Sequence, residues 1–382
     1  MKRTLGICAV LLYMLYTPVL AQAQEPTSFS SEKLSDQLYM IYGGGGNGCN
    51  VGLFVGEQGL LLIDAMLPKS SERLLAAIRT ISDKPVTHVI NTHSDADHAG
   101  GNAFFAERGA TIYAQENAQY EGVTADVYIK ESLTLSIDNE EIDLHAIISH
   151  SSNDLIIRFK HNNVVFMGDT FTNSWYGTFS TGGMEGQFDA LNLALAQSDE
   201  QSRIIPGHGR IAHKGELAHY KEVTRTWVSK IRTLHAQGLD EETIARDASV
   251  IELAHRYIRP EGLRTISPQS MLRFVQRSIS SDAIAATYQI PKEANEAYVG
   301  EFEYEDGVIE SIVEQNGTLF IRKKKPYPYV AELIPLTDQV FHIRGGIHER
   351  IYIAFDSDSF RRVITYTNGD ETFVAKEVVE ED

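Results

Sequence analysis

The stretch Thr92-His93-Ser94-Asp95-Ala96-Asp97-His98-Ala99-Gly100-Gly101-Asn102 places four potential metal ligands within six residues. It follows Val86–Asn91, a short β-branched run behind Pro85, and leads into Gly101–Arg108, a predicted helix stopped by Gly109. A loop at a strand end can aim alternate side chains at one point, and a rigid scaffold keeps them there. Imidazole together with carboxylate suits zinc, iron or manganese. The plain alternative is a solvated acidic turn, and two His and two Asp at this spacing argue against it.

Three later residues share the setting. His150 follows the strand-like run Ile142–Ser149, Asp169 sits in Met167-Gly168-Asp169-Thr170 behind Val164–Phe166, and His208 sits in Pro206-Gly207-His208-Gly209 behind Ile204 and Ile205. Each is a ligand-type residue at the end of an apolar run beside a small residue. Alone, each reads as structural; together they point to one convergent site.

Around them, Val51–Val55 and Leu60–Ile63 are predicted strands joined by the turn Gly56-Glu57-Gln58-Gly59. Leu74, Leu75, Ile78 and Ile81 predict a helix over 70–81, capped by Ser70 or Ser71. Thr111–Ala114, Leu155–Phe159 and Val164–Met167 are further predicted strands. The mixture predicts an α/β core with layered α and β elements rather than a bundle or a pure sandwich.

These residues resemble the metallo-β-lactamase superfamily over roughly Leu38 to Gly215. The family loop is His-x-His-x-Asp-His, followed by a His, an Asp after Gly, and a terminal Gly-His; here those places hold His93, Asp95, Asp97, His98, His150, Asp169 and His208. Leu61-Leu62-Ile63-Asp64 is similar to the family's early strand ending in Asp.

The resemblance implies an αββα sandwich with its site where the sheets open. It implies two divalent metal ions, zinc first: His93, Asp95 and His150 on one, Asp97, His98 and His208 on the other, Asp169 between them. It further implies catalytic roles for Asp97 and Asp169 and a metal-bound hydroxide as nucleophile. Asp64 reads as a residue that fixes the loop. Asp95 stands where the family usually has its second His. A harder, charged ligand lowers Lewis acidity there and leaves manganese or iron open. Asp169 stands where true β-lactamases carry Cys or Ser, which makes the chain look more like the thioesterase, lactonase, sulfatase and phosphoesterase branches.

Gly43–Gly48 lacks the Lys and the following helix of a phosphate loop, so it is either a flap near the site or a plain loop. Phe171–Phe188, with Trp175, Tyr176 and Phe179, is too Gly-rich to predict a helix; it is either a wall for an apolar substrate or loop packing. His145, His161, His213 and His219 match no motif position and read as structural or surface residues.

Beyond the core the pattern turns helical. Leu217, Tyr220, Val223, Trp227, Ile231 and Leu234 step by three or four, Gly238 is a stop, Asp240 a cap, and Ser267-Pro268 the start of another helix. From about Ala297 the period becomes two, with Asp306-Gly307, Asn316-Gly317 and Asn368-Gly369 as turns. Lys323-Lys324-Lys325 reads as a solvated strand end. The expected organisation is a signal peptide (1–23), a catalytic domain (24–215), a helical extension (216–294) and a small all-β C-terminal domain (295–382).

The signal peptide reading rests on Lys2 and Arg3, the apolar run Gly6–Leu20 and the cleavage signal Ala21-Gln22-Ala23. It implies a periplasmic or secreted protein with no stable membrane span. Removing it takes away Cys8 and leaves Cys49 as a lone thiol, expected to be buried. Hydrophobic residues at 43% and charged residues at 23% exclude a largely disordered chain. A net charge of −18 argues against nucleic acid as a partner. The expected substrate is a small molecule with an ester, thioester, lactone or related bond, with promiscuous β-lactam hydrolysis conceivable. Two alternatives follow from Asp95: a non-catalytic metal or ligand-binding protein with a degraded first site, and an iron-dependent oxidoreductase on the same fold.

Overall fold

The computed structural model describes residues 29–379, apart from residue 45 and residues 174–175, 178–180, 258–265, 281–287, 324–328, 345–349, 357–360 and 369–370. The expected signal peptide lies outside the described residues, as do Trp175, Phe179, Lys324, Lys325 and Gly369.

Two sheets face each other. The first runs in order β1 (Ser31–Lys33), β2 (Leu38–Ile41), β3 (Val51–Val55), β4 (Leu60–Ile63), β5 (Val86–Ile90), β6 (Thr111–Gln115) and β7 (Val127–Ile129). The second runs β13 (Ala212–His213), β12 (Arg203–Pro206), β11 (Val164–Gly168), β10 (Asp154–Phe159), β9 (Glu140–Ile147) and β8 (Ser132–Ile137). β8 was not anticipated from the sequence, although Leu133, Leu135 and Ile137 alternate there with Ser132, Thr134 and Ser136.

The central strands are apolar on both faces because both faces are covered. Leu60 and Leu62 of β4 pack with Leu74, Ala77 and Ile78 of α1 (Ser71–Arg79), whereas Leu61 and Ile63 enter the core between the sheets. In β11, Val164 and Phe166 face that inter-sheet core, and Val165 and Met167 face the helices on the other side. The result is the expected αββα layering. Two very short helices, α2 (Ala96–Ala99) and α3 (Asn102–Ala106), follow β5.

Ser70 does not cap α1: its hydroxyl donates instead to the Asn47 carbonyl, 2.7 Å away. The same Asn47 accepts from Arg73 through its side chain at 2.9 Å. The described part of the Gly-rich loop is therefore tied to α1 rather than built as a free flap.

The region after Asp169 also differs from expectation. Gly183–Ala196 is a helix, α4. Phe171 and Tyr176 lie in the core, and Tyr176 meets Trp227 and Phe274 edge-on, each at 5.5 Å between ring centroids. These two rings serve packing, not a substrate wall.

The helical extension contains α5 (Lys214–Ala236), α6 (Glu241–Ala245), α7 (Ala248–His255) and α8 (Pro268–Ser280). The expected stripe on α5 is buried throughout, and Trp227 stacks on Phe274 at 3.6 Å. Asp240 caps α6 by accepting from the Thr243 N–H, and Gly238 has φ +88°. α5 begins at Lys214, and Glu216 closes its first turn onto His213.

The C-terminal module is a closed eight-stranded antiparallel barrel: β14 (Gly300–Tyr304), β15 (Ile309–Gln315), β16 (Thr318–Lys323), β17 (Tyr329–Pro335), β18 (Val340–Ile343), β19 (Arg350–Asp356), β20 (Arg361–Asn368) and β21 (Glu371–Glu377), with β21 pairing back onto β14. Its interior is filled by side chains including Phe302, Ile321, Phe341 and Ile364. Among the described residues no helix is long and apolar enough to cross a membrane.

Candidate metal centre

Strand ends deliver the site. β5, β9, β11 and β12 finish at one edge of the sandwich, and His93, His150, Asp169 and His208 lie just beyond them. β11 and β12 are parallel, with Gly168 opposite Pro206, so Asp169 and His208 emerge side by side. A Cβ on Gly207 would lie 2.0 Å from Asp169 Oδ1, so only glycine lets the two loops approach this closely.

All seven residues singled out in the sequence come together. Asp95 Oδ2 is 3.4 Å from both His93 Nε2 and His150 Nε2. Asp97 Oδ2 is 3.2 Å from His208 Nε2. Asp169 Oδ1 is 3.5 Å from both His98 Nε2 and His208 Nε2 of the second triad, and Asp169 also groups with His93 of the first, together with His98, within 4.8 Å. His93–Asp95–His150 and Asp97–His98–His208 each offer three donor atoms within 4.8 Å of one another. A tetrahedral ion with bonds of about 2.0–2.1 Å spaces its donors by roughly 3.3–3.4 Å, so these separations suit a divalent ion.

Burial sharpens the fit. His93 Nε2, His98 Nε2 and Asp169 Oδ1 are buried and make no hydrogen bond within the described residues. Buried polar atoms left without a partner are costly, and a bound ion would satisfy all three. The opposite side is open: side-chain exposure is 0% for His93 and His98 but 52% for Asp95 and 35% for both Asp97 and His208. The mouth therefore lies on the Asp95–Asp97–His208 side.

The ring orientations have an identifiable cause. Asp64, itself buried, accepts from the Thr92 N–H at 2.7 Å, the Thr92 hydroxyl at 2.8 Å and His98 Nδ1 at 2.9 Å. Holding the proton on Nδ1 leaves His98 Nε2 as the bare nitrogen facing the cluster. The expected loop-fixing role of Asp64 is visible in these three bonds. Asn91 and Asn102 exchange amide hydrogen bonds at 3.0 and 2.7 Å and staple the ends of the ligand loop.

Three contributors were missed in the sequence. Asn50 donates from Nδ2 to the carbonyls of Pro206 and Gly209, both at 2.9 Å, and so brackets His208. The backbone N–H of Cys49 donates to the Asp97 carbonyl at 3.1 Å. Glu121 accepts from Ser94 at 2.5 Å, Ser152 at 2.7 Å and Asn153 at 2.9 Å, linking the loop of His93 and Asp95 to that of His150. None carries a pattern signal; Asn50 and Glu121 act through side chains and Cys49 through its backbone, each on distant partners. Cys49 is buried as expected, and burial pushes its thiol up to about 12.

The charges are strongly coupled. The His150 hydrogen bond, with His93 behind it, holds the Asp95 carboxyl far below the usual carboxylate range. His208 does the same more mildly for Asp97. Burial opposes ionisation of Asp169, but His98, His93 and His150 outweigh it and keep the carboxyl ionised. Burial also opposes charge on His150, yet the Asp95 hydrogen bond and the Asp169 and Asp154 charges raise it to about 9.

A pH dependence follows. With its pKa raised, ion-free His150 holds a proton below about pH 9, and an ion needs the bare nitrogen. Metal uptake must displace that proton, so apparent affinity should rise with pH, by up to about tenfold per unit between pH 6 and 8. Chelator competition at pH 6, 7 and 8, with proton release followed in weak buffer, measures this. A flat affinity would remove His150 from the ligand set.

An αββα sandwich carrying a cluster of four His and three Asp at its open edge is the architecture of a metal-dependent hydrolase family. A model of the metallo-β-lactamase superfamily matches residues 44–208, somewhat less than half of the chain. The chain is 31% identical to a probable hydroxyacylglutathione hydrolase of Schizosaccharomyces pombe, over 31% of this chain and 47% of that protein. It is 25% identical to metallo-beta-lactamase IND-1 of Chryseobacterium indologenes, over 48% of this chain and 81% of that protein. The chain thus spans about half the length of the first of these relatives. Among solved structures, the inverting sec-alkylsulfatase Pisa1 from Pseudomonas sp. superposes with a TM-score of 0.53 at 17% identity, covering 71% of this chain and 54% of that one. This likeness bears on the fold alone.

Proposed function

We propose that the chain is a metal-dependent hydrolase acting on an ester, a thioester or a related acyl bond of a small molecule. His93, Asp95 and His150 hold one divalent ion, Asp97, His98 and His208 a second, and Asp169 is shared. The observation that carries this reading is the convergence of seven donors, three of their atoms buried and otherwise unsatisfied, on one open edge. The placing of Asp95 Oδ2 equally close to both His of its triad supports an intact first site. Zinc is the first expectation, and the third carboxylate keeps manganese and iron in play.

Bound there, two divalent ions supply a water acidified to near neutrality and a Lewis-acid face for the scissile oxygen. The chain's own residues do the rest. Asp64 and Thr92 keep His98 turned inward. Asp97, partly exposed at the mouth, would hold the second ion, or would orient the attacking water if only the first ion is bound. The buried backs of His93 and His98 exclude solvent from the inner side. The similarity to hydroxyacylglutathione hydrolases, whose named substrate is a thioester, puts thioesters first among the bonds to try. We also read the chain as exported to the periplasm or beyond, on residues 1–23 alone.

The test pairs metal content with a substrate panel. Purified protein should hold two ions per chain, falling toward one in His208→Ala. Thioesters or esters should turn over faster than lactams and alkyl sulfates. Fully loaded protein that hydrolyses nothing on the panel would overturn the reading. Visible absorbance with oxygen uptake would replace it with iron-dependent oxidation.

A further inference from the structure

The two halves of the metal cluster are supported differently. The loops of Asp97 and His208 are tied by Cys49 and Asn50, from within the sandwich. The loops of His93, Asp95 and His150 are tied by Glu121, the last residue of a six-residue 3-10 helix, Glu116–Glu121. Ser94 lies between His93 and Asp95, and Ser152 and Asn153 lie just after His150, so one carboxylate holds all three ligand positions in register. Asn117 of the same helix adds a bond from Nδ2 to the Ser152 carbonyl at 3.1 Å.

That short helix is where the barrel docks. Arg322 of β16 lays its guanidinium on the Tyr120 ring, 3.7 Å from the centroid, and donates to Asn117 Oδ1 at 3.4 Å. Gln315 of β15 donates to Glu116 at 2.5 Å and accepts from Arg322 at 3.2 Å. A second contact flanks the same loop: Arg344, after β18, lies 4.0 Å from Glu185 of α4, and the Gly182 N–H ahead of that helix donates to the Ser149 carbonyl at 2.7 Å. Six residues of 3-10 helix have little stability of their own, so their position depends on what grips them.

We propose that the C-terminal barrel is a brace for the first ion site, with Arg322 and Glu121 as its positioning residues. The proposal rests on the two-ion reading above. Arg322 fixes the short helix through Tyr120 and Asn117; Glu121 transmits that position to His93, Asp95 and His150. The barrel thus serves metal retention at the first site, whose Asp95 is 52% exposed. Supporting partners of metal ligands typically govern affinity by 10–100-fold.

The experiment is a zinc titration of ion-free full-length protein against a chromophoric chelator, with His150→Ala and His208→Ala assigning the two binding steps. In Arg322→Ala the first-site step should weaken by about tenfold, and in Glu121→Gln by about 10–100-fold, with the second-site step unchanged within about twofold. Arg322→Lys, which keeps a cation for the Tyr120 ring, should recover most of the loss. Tyr120→Leu leaves the barrel strands untouched and carries the same expectation if Arg322→Ala does not fold. Equal weakening of both steps, or of neither, would overturn the brace while leaving the two-ion reading standing. A wild-type protein that binds fewer than two ions would sink that reading, and the brace with it.

Discussion

Asp169→Asn is expected to lower kcat/KM at least about a thousandfold on the substrate the panel identifies, a loss of roughly 4 kcal/mol of transition-state stabilisation. Bound metal should also fall below two ions per chain. Asn keeps the shape of Asp but removes one charge from a point that groups with His93 and His98, where Oδ1 lies 3.5 Å from His98 Nε2 and His208 Nε2. With Asp95 and Asp97, it makes three carboxylates facing two dications; without it, the excess positive charge doubles. Unit charges about 4 Å apart interact by roughly 4 kcal/mol at an effective dielectric of 20, so the lost attraction is of the size that decides occupancy. The side chain has no room to re-seat, because the Gly207 backbone closes against it. The measurements are kcat/KM and elemental analysis, with a wild-type unfolding midpoint as the control for folding. A variant that keeps two ions and a rate within about tenfold would remove Asp169 from the centre.

The parts of this molecule legible in the sequence are those written locally. β3, β4 and β5 begin and end within a residue of expectation, because β3 and β4 are short, largely apolar runs next to Gly56 and Gly59, and β5 starts behind Pro85 and ends on Val89-Ile90. The seven cluster residues were legible for the same reason: each follows such a run, and a strand end is where a rigid sheet presents a side chain. What stayed hidden depends on distant partners. Glu121 acts through Ser94, 27 residues away, and Asn50 through Pro206, 156 residues away, and neither has a motif. α4 was hidden by its glycines, which count against a helix. A Cβ at Gly186 would lie 2.1 Å from the Ile148 carbonyl, so packing against the His150 loop selects glycine there against helix propensity. The alternation of the last third announced strands, but the closure of β21 onto β14 links residues some seventy positions apart and has no local signature.

Asp64→Ala should destabilise the ion-free protein by about 3–5 kcal/mol and weaken the second ion site by about 10–100-fold. The carboxylate is 1% exposed and accepts three hydrogen bonds, from the Thr92 N–H, the Thr92 hydroxyl and His98 Nδ1. Alanine removes every acceptor at once and leaves the Thr92 N–H and the His98 N–H buried without partners, at about 1–3 kcal/mol each. The backbone adds to this, because Asp64 sits at φ +66°, where a residue without a short polar side chain pays about 1–2 kcal/mol. Asp64→Asn separates the two effects. Asparagine tolerates the left-handed region and keeps one carbonyl for Thr92, so stability should fall by only about 1–2 kcal/mol. Its amide, however, is neutral and holds the His98 proton less firmly, so second-site affinity should still drop. Urea unfolding of ion-free protein gives the first quantity and chelator titration the second. If Asp64→Ala unfolds within about 1 kcal/mol of the wild type and binds both ions normally, the inward orientation of His98 has another origin. If Asp64→Asn keeps stability but loses the second ion, the buried carboxylate serves the metal through the imidazole proton it holds, and the fold only through Thr92.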